Sequence, residues 1–424
     1  MIRATAVSLV DQGLLSAVNF GLALVLIHFG SQEQYGLYTQ LIGLQSLFSV
    51  FHAALFVSAY LALLPRLEGE ARRSYQAGMA RAEVSVTIAS GLAVAAITWV
   101  TAHWIGHPLE WATSAAAAMT LLGVWWREFT RARYFAEGGV LRVLRIDVGY
   151  TLLVISGLVV IILLHATTAA TVLWCLGLAG TAVAVLPIVR QTRAADVDRR
   201  SLRENLAKSW HSGRWEVLTS LVTWGHAQTF VYFAALQGGL AAAAEISAAR
   251  LIAMPLALVW LSYASILRPE ASRVLTGPDA VQRLNRLAMR SAAFVIGLAV
   301  CFALVLQLGM PLIERYVFGG HFQHLGELSA LWVAYFALTG MTTIATSLLR
   351  SALEFKPLFI THAFCGAIAV AAFCVGLNAS TPIVFVIALV AVEALLASLC
   401  WRMLRGRLRS TGRPALGLSG ANGV

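Results

Sequence analysis

The residues with chemistry to offer lie inside apolar runs. Ser8, Gln12, Ser16 and Asn19 recur at a spacing that, at 100° per residue, gathers them within an arc of roughly 80°, with Asp11 at its border. Gln45, Ser49 and His52 follow at i, i+4, i+7, and Thr219, Thr223 and His226 repeat that spacing above Trp215 and Glu216. An unpaired polar side chain in hydrocarbon costs several kcal/mol, so each stripe must face protein or water. A lone Ser or Thr is explained by hydrogen bonding between helices. Three stripes of one pitch point instead to a shared wet cavity, a wall of hydrogen-bonding groups for something polar.

Two charges stand apart. Arg250 precedes Arg268 by about 18 residues, or ~27 Å of helix rise, near the far end of its helix. Its guanidinium either snorkels to the interface or stands in a vestibule where it would bind phosphate oxygens in pairs. Glu245 either pairs with it or caps a helix. Glu393 is the one carboxylate expected deep within a span, either a proton- or cation-coupling site or a buried, paired acid. Pro255 should bend the helix that carries Arg250. Nothing points to catalysis, a cofactor or a metal: the five cysteines sit in apolar runs without CxxC or Cys/His spacing, and His321 and His324 read as interfacial.

The elements that must position these residues follow from composition. The chain has 424 residues, 59% hydrophobic and 12% charged, with mean hydropathy +0.77. Soluble domains carry about 25% charged residues. Apolar runs of about 20 residues recur throughout, each able to cross ~30 Å of hydrocarbon. They predict an all-α polytopic membrane protein of twelve transmembrane helices, near 5–29, 37–64, 81–104, 111–130, 147–165, 169–189, 214–236, 243–267, 288–310, 326–348, 358–377 and 382–402. The first run is too long, and broken too early by polar residues, for a cleavable signal.

Of the 31 Lys and Arg, all but Arg250 and Arg315 fall on one side of this topology. That side is cytoplasmic, with both termini inside, and the net charge of +11 reflects orientation rather than nucleic-acid binding. Outer loops such as GSQEQYG, HATTAA and NASTP are too short for a catalytic domain.

A weak repeat flanks the longest inner loop. LLPRLEGEARRSY after the second helix is answered by ILRPEASRV after the eighth, with Pro65 and Pro269 ending their helices, and Asp11 by Glu216. The expected organisation is a six-helix bundle over 1–195, a cytoplasmic linker over 196–212, a second six-helix bundle over 213–403 and a basic tail over 404–424. Parallel repeats about an axis along the membrane normal form a transporter architecture.

DQGLLSAVNF with the turn ending YGLY, and LAKSWHSGRWEVLTSLVTW followed by EISAARLIAMPLALVWLSYASILRPEASR, resemble the polysaccharide-transporter (Wzx-type oligosaccharide flippase) branch of the MATE-like flippase superfamily. The resemblance spans essentially the whole chain and is strongest over 11–66 and 205–273. It implies two six-helix bundles in a V shape, in a bacterial inner membrane. The implied activity is alternating-access flipping of undecaprenyl-pyrophosphate-linked oligosaccharide, for surface or exopolysaccharide synthesis such as that of lipopolysaccharide. The implied partners are that substrate, membrane lipids, and a polysaccharide polymerase with its chain-length regulator, with no nucleic acid. Asp11, Gln12, Asn19, Gln45, His52, Thr223, His226 and Arg250 would line the substrate cavity, and Glu393 would couple. Where similar proteins carry Arg near the outer end of helix one, this chain has His28. No covalent step is needed, so the protein is not expected to be an enzyme. The rival readings are a cation-coupled multidrug antiporter of the same superfamily and, further off, a membrane polysaccharide polymerase or glycosyltransferase.

Overall fold

A computed structural model describes residues 2–58, 60, 64, 67–104, 110–137, 139–194, 207, 210, 217–218, 220–225, 227–275, 280–319, 322–351 and 355–411. Among them the chain is all-helical: α1 (Ile2–Phe29), α2 (Gln32–His52), α3 (Gly69–Trp104), α4 (Trp111–Ala136), α5 (Val140–Leu163), α6 (Ala169–Thr192), α7 (Phe230–Leu275), α8 (Ala280–Leu312), α9 (Leu325–Ser351), α10 (Phe355–Gly376) and α11 (Ile383–Thr411). Further helical residues at 217–218, 220–225 and 227–228 precede α7. π-helical turns extend α2 over Ala53–Ser58 and α8 over Ile313–Val317. Nine helical stretches among the described residues are long and apolar enough to cross a membrane, which makes this a multi-pass membrane protein.

Several helices outrun their apolar cores. α3 begins at Gly69 rather than near 81 because Tyr75, Ala77, Met79 and Ala80 are already buried, against Tyr60 and Phe129. α2 begins at Gln32 rather than near 37, since the Ser31 side chain caps it by accepting from the Gln34 amide at 3.3 Å. Thr168 caps α6 likewise, in a reciprocal box with Thr171, and the Ala169 amide donates to Gln34 Oε1 at 2.7 Å, tying the two turns together.

α7 is two helices joined at a break. Gly239 adopts φ 73 and ψ −174, a conformation open to glycine alone, while the backbone stays helical through Pro255. Pro269 does not end this helix as expected. One missing donor does not unwind a turn anchored by Leu267 and Ala271, 3% and 0% exposed, and the helix runs on to Leu275.

By contacts the chain divides into two units, Met1–Trp224 with Gly239–Ala244, and Gly225–Gly238 with Glu245–Val424. In the first, α4 and α6 form the most extensive seam. Gly123 packs on Gly177, and Gly177 on Met119, so closely that a β-carbon at either glycine would strike the opposing backbone. α1 packs on α5, and α3 on α4. Two apolar clusters fill the interior, one around Phe56, Tyr60 and Phe129, the other around Leu41, Leu121, Trp125 and Leu173. In the second unit α9 and α11 make the main contact, and α8 and α10 pack onto them.

Candidate functional site

Arg250 sits on the 240–275 limb of α7, half-buried. Its Nη1 donates to Gln228 Oε1 at 2.9 Å. The guanidinium carbon lies 5.4 Å from the Trp332 ring centroid and 5.7 Å from that of Phe230. Both rings are buried and meet edge to face at 5.2 Å. The Trp332 indole N–H donates to the Ile246 carbonyl at 3.1 Å, which seats the ring about one turn below Arg250. The cation is thus held over an aromatic floor that attracts it through the ring quadrupoles. Glu245 accepts the His324 amide hydrogen at 2.6 Å, so its carboxylate closes the turn before α9.

Glu393, on α11, is 2% exposed and accepts from Thr342 Oγ1 at 2.6 Å. Tyr335, one turn past Trp332 on α9, meets the Trp332 ring edge to face at 5.2 Å.

In the first unit, α2 places Gln45 and His52 in the interior, at 7% and 3% exposure. His52 Nε2 lies 3.0 and 3.1 Å from the two carboxylate oxygens of Glu83 on α3, and Thr87 donates to the same carboxylate at 3.1 Å. The imidazole stacks on Trp125 at 4.6 Å, and the Trp125 indole N–H donates to Ser49 Oγ at 3.0 Å. The polar stripe of α2 is therefore knitted to α3 and α4. Asn19 is exposed on α1. Asp11 and Gln12 belong to α1, but their side chains lie outside the described residues, as do His226, Thr219, Glu216 and Trp215. Thr223 is exposed, and its neighbour Trp224 donates to Ser46 Oγ at 2.8 Å, bringing the 220–224 stretch against α2. His28 is exposed and turns Nδ1 to its own Leu24 carbonyl at 3.3 Å.

Besides Glu393, the structure buries two further carboxylates, Glu83 and Asp147, both 0% exposed. Glu83 reads in sequence as the foot of a helix, yet α3 starts about four turns earlier. Asp147 forms an ion pair with Arg131, Oδ2 to Nε 2.8 Å, and Arg127 lies 4.0 Å above the Tyr150 ring, a buried lock between α4 and α5. Gln228 and Trp332 were also missed: Gln228 lies off the Thr223 stripe, and an apolar ring carries no sequence signal of its own. Among the described residues no three His, Cys, Asp or Glu converge as metal ligands.

No protein-family description and no curated protein matches the chain. Its fold does match solved structures. A multidrug resistance MATE family transporter of the MOP superfamily, inward-facing, superposes with TM-score 0.74 over 95% of this chain and 96% of that one, at 16% identity. The lipid II flippase MurJ, in an inward closed conformation, gives TM-score 0.70 over 96% and 88%, at 12% identity. A MOP superfamily transporter from Pyrococcus furiosus, described as having a binding pocket of reverse polarity, gives 0.65 over 97% and 96%, at 14% identity. At these identities the likeness establishes the fold: the chain has the all-helical, MATE-like architecture.

Proposed function

We propose that the protein is a bacterial inner-membrane transporter that flips a lipid-linked oligosaccharide by alternating access, the carrier being undecaprenyl pyrophosphate. The observation that carries this reading is Arg250, a cation braced by Gln228 over buried Trp332 and Phe230 within a membrane-spanning helix. Such a fixed, planar, permanently charged donor suits a pyrophosphate or an acidic sugar. A flippase and MATE transporters share the fold, which supports translocation rather than covalent chemistry. In this reading Asp11, Gln12, Asn19, Gln45, Thr223 and His226 bind sugar hydroxyls along the path, and His52 holds α2 in register against α3. Glu393, buried against Thr342, couples transport to a proton or cation.

The test is glycan export in a strain whose own flippase is deleted and replaced by this chain. Losing a charge-assisted contact costs about 1.5–3 kcal/mol, so Arg250→Ala should cut export about tenfold or more at unchanged membrane abundance. Arg250→Lys, which keeps charge but not the planar fork, should recover only part. Normal export by Arg250→Ala would remove Arg250 from the site. The second reading, a cation-coupled multidrug antiporter, draws on the buried carboxylates Glu83 and Glu393. It predicts drug resistance and no glycan export in the same strain.

A further inference from the structure

The cations in the first turns of α8 stand on a single line. Arg283, Arg286 and Arg290 are spaced i, i+3, i+7, and at 100° per residue they fall within an arc of roughly 60°. All three are exposed. Their direction is fixed by what the far side of the helix buries. Leu284, Ala288 and Val295 are 4%, 1% and 1% exposed, and Ser291 Oγ lies 2.7 Å from the Tyr263 hydroxyl of α7. Among the described residues none of the three arginines meets a carboxylate or an aromatic ring. Where α4 meets α5 the opposite holds: Arg131 pairs with Asp147, and Arg133 and Arg142 share Glu137. Like charges at i, i+3 and i, i+4 repel, so the stripe calls for an anion from outside the chain.

The remainder of α8 defines that anion. No charged residue follows from Ser291 to Leu312, about 33 Å of helix, which matches a hydrocarbon core of ~30 Å. Arg290 therefore sits at the edge of the hydrocarbon, and Arg283, about 10 Å further out, reaches through the head-group layer. Below Arg290 the same line continues as Phe294, Leu304 and Leu308, 45%, 62% and 83% exposed. A phosphate at the level of the arginines with acyl chains against these residues meets both parts of the stripe. A zwitterionic head group brings its own ammonium to its phosphate. An anionic one leaves its charge for the arginines, so selection falls on the head group rather than the chain.

From this we infer that Arg283, Arg286 and Arg290 hold the head group of an anionic phospholipid whose chains lie along the exposed face of α8. The site is separate from Arg250 and holds whatever cargo the protein carries.

The experiment uses the full chain in nanodiscs of phosphatidylethanolamine and phosphatidylglycerol in equal parts. Two probes carry a diazirine midway along one acyl chain, one under each head group. Over residues 294–304 the glycerol probe should label about tenfold more than the ethanolamine probe, whereas α10, whose only Lys or Arg is Lys356, should show near parity. Each arginine at an anionic surface favours it about fivefold. Arg286→Gln should therefore cut the ratio on α8 about fivefold, and glutamine at all three positions should bring it to that of α10. Should the triple variant fail to fold, the single one carries the test. Lysine at all three positions keeps the charge and should keep most of the preference. Parity of the two probes on α8 of the unaltered chain overturns the inference. So does a preference that survives the glutamine variants, an equal loss in the lysine variant, or displacement of the label by inorganic phosphate.

Discussion

Replacing Glu83 by alanine isolates the contact that binds α2 to α3. His52 and Glu83 are 3% and 0% exposed, and both carboxylate oxygens approach Nε2. Removing one partner leaves the other a polar group buried among apolar side chains. Broken buried pairs of this kind cost about 3–5 kcal/mol. Thr87 loses its acceptor as well, so Glu83→Ala should fall at the upper end of that range. Glu83→Gln keeps the shape and one hydrogen bond and should lose about half as much. Replacing both residues by leucine should be near neutral or stabilising, because two apolar side chains there need no partners. Denaturant titration of the purified protein, with Glu83→Leu and His52→Leu as the two singles of the leucine pair, gives the coupling energy directly. A cost below about 1 kcal/mol for Glu83→Ala, or singles that add to the double, would refute a buried interdependent pair.

Three further outcomes follow from the geometry. Gln228→Ala frees the guanidinium from its brace, and should weaken inorganic pyrophosphate binding to the purified protein by about tenfold, measured calorimetrically, with unfolding unchanged. Under the proposed coupling role, Glu393→Gln, which preserves the shape that Thr342 hydrogen-bonds, should keep abundance while abolishing any dependence of export on a proton or sodium gradient; an unaltered gradient dependence would assign the carboxylate to packing. Gly123→Val puts a branched side chain against the Gly177 backbone and should destabilise by about 3 kcal/mol or more, read as a loss of membrane-inserted protein by quantitative blotting.

Hydropathy alone made the helical fold legible, because a span must be apolar wherever it meets lipid. Helix ends were less legible. Residues 69–80 are polar enough to read as loop, yet they bury Tyr75 and Met79, and burial rather than hydropathy sets where α3 begins. Of the candidate site, Arg250 and Glu393 stood out because charge inside an apolar run is conspicuous. What positions them did not: Trp332 and Phe230 are two apolar residues among many, and only their convergence around one guanidinium distinguishes them. Glu83 was hidden for a third reason. Its partner lies 31 residues away on another helix, a separation that helical spacing cannot reveal.

The glycine seam between α4 and α6 bears on how such a protein can move. With backbone against backbone at Gly123 and Gly177, neither helix can roll or slip past the other by the small steps that flexible side chains normally absorb. The pair behaves as one stiff lever, with α5 clamped to its end through the Asp147–Arg131 contact. Motion in the first unit is then left to helices with softer joints, α2 with its π-helical end foremost among them. A spectroscopic ruler across α4 and α6 should read one fixed length whatever conformation the first unit adopts, a built-in reference against which displacement of α2 can be measured.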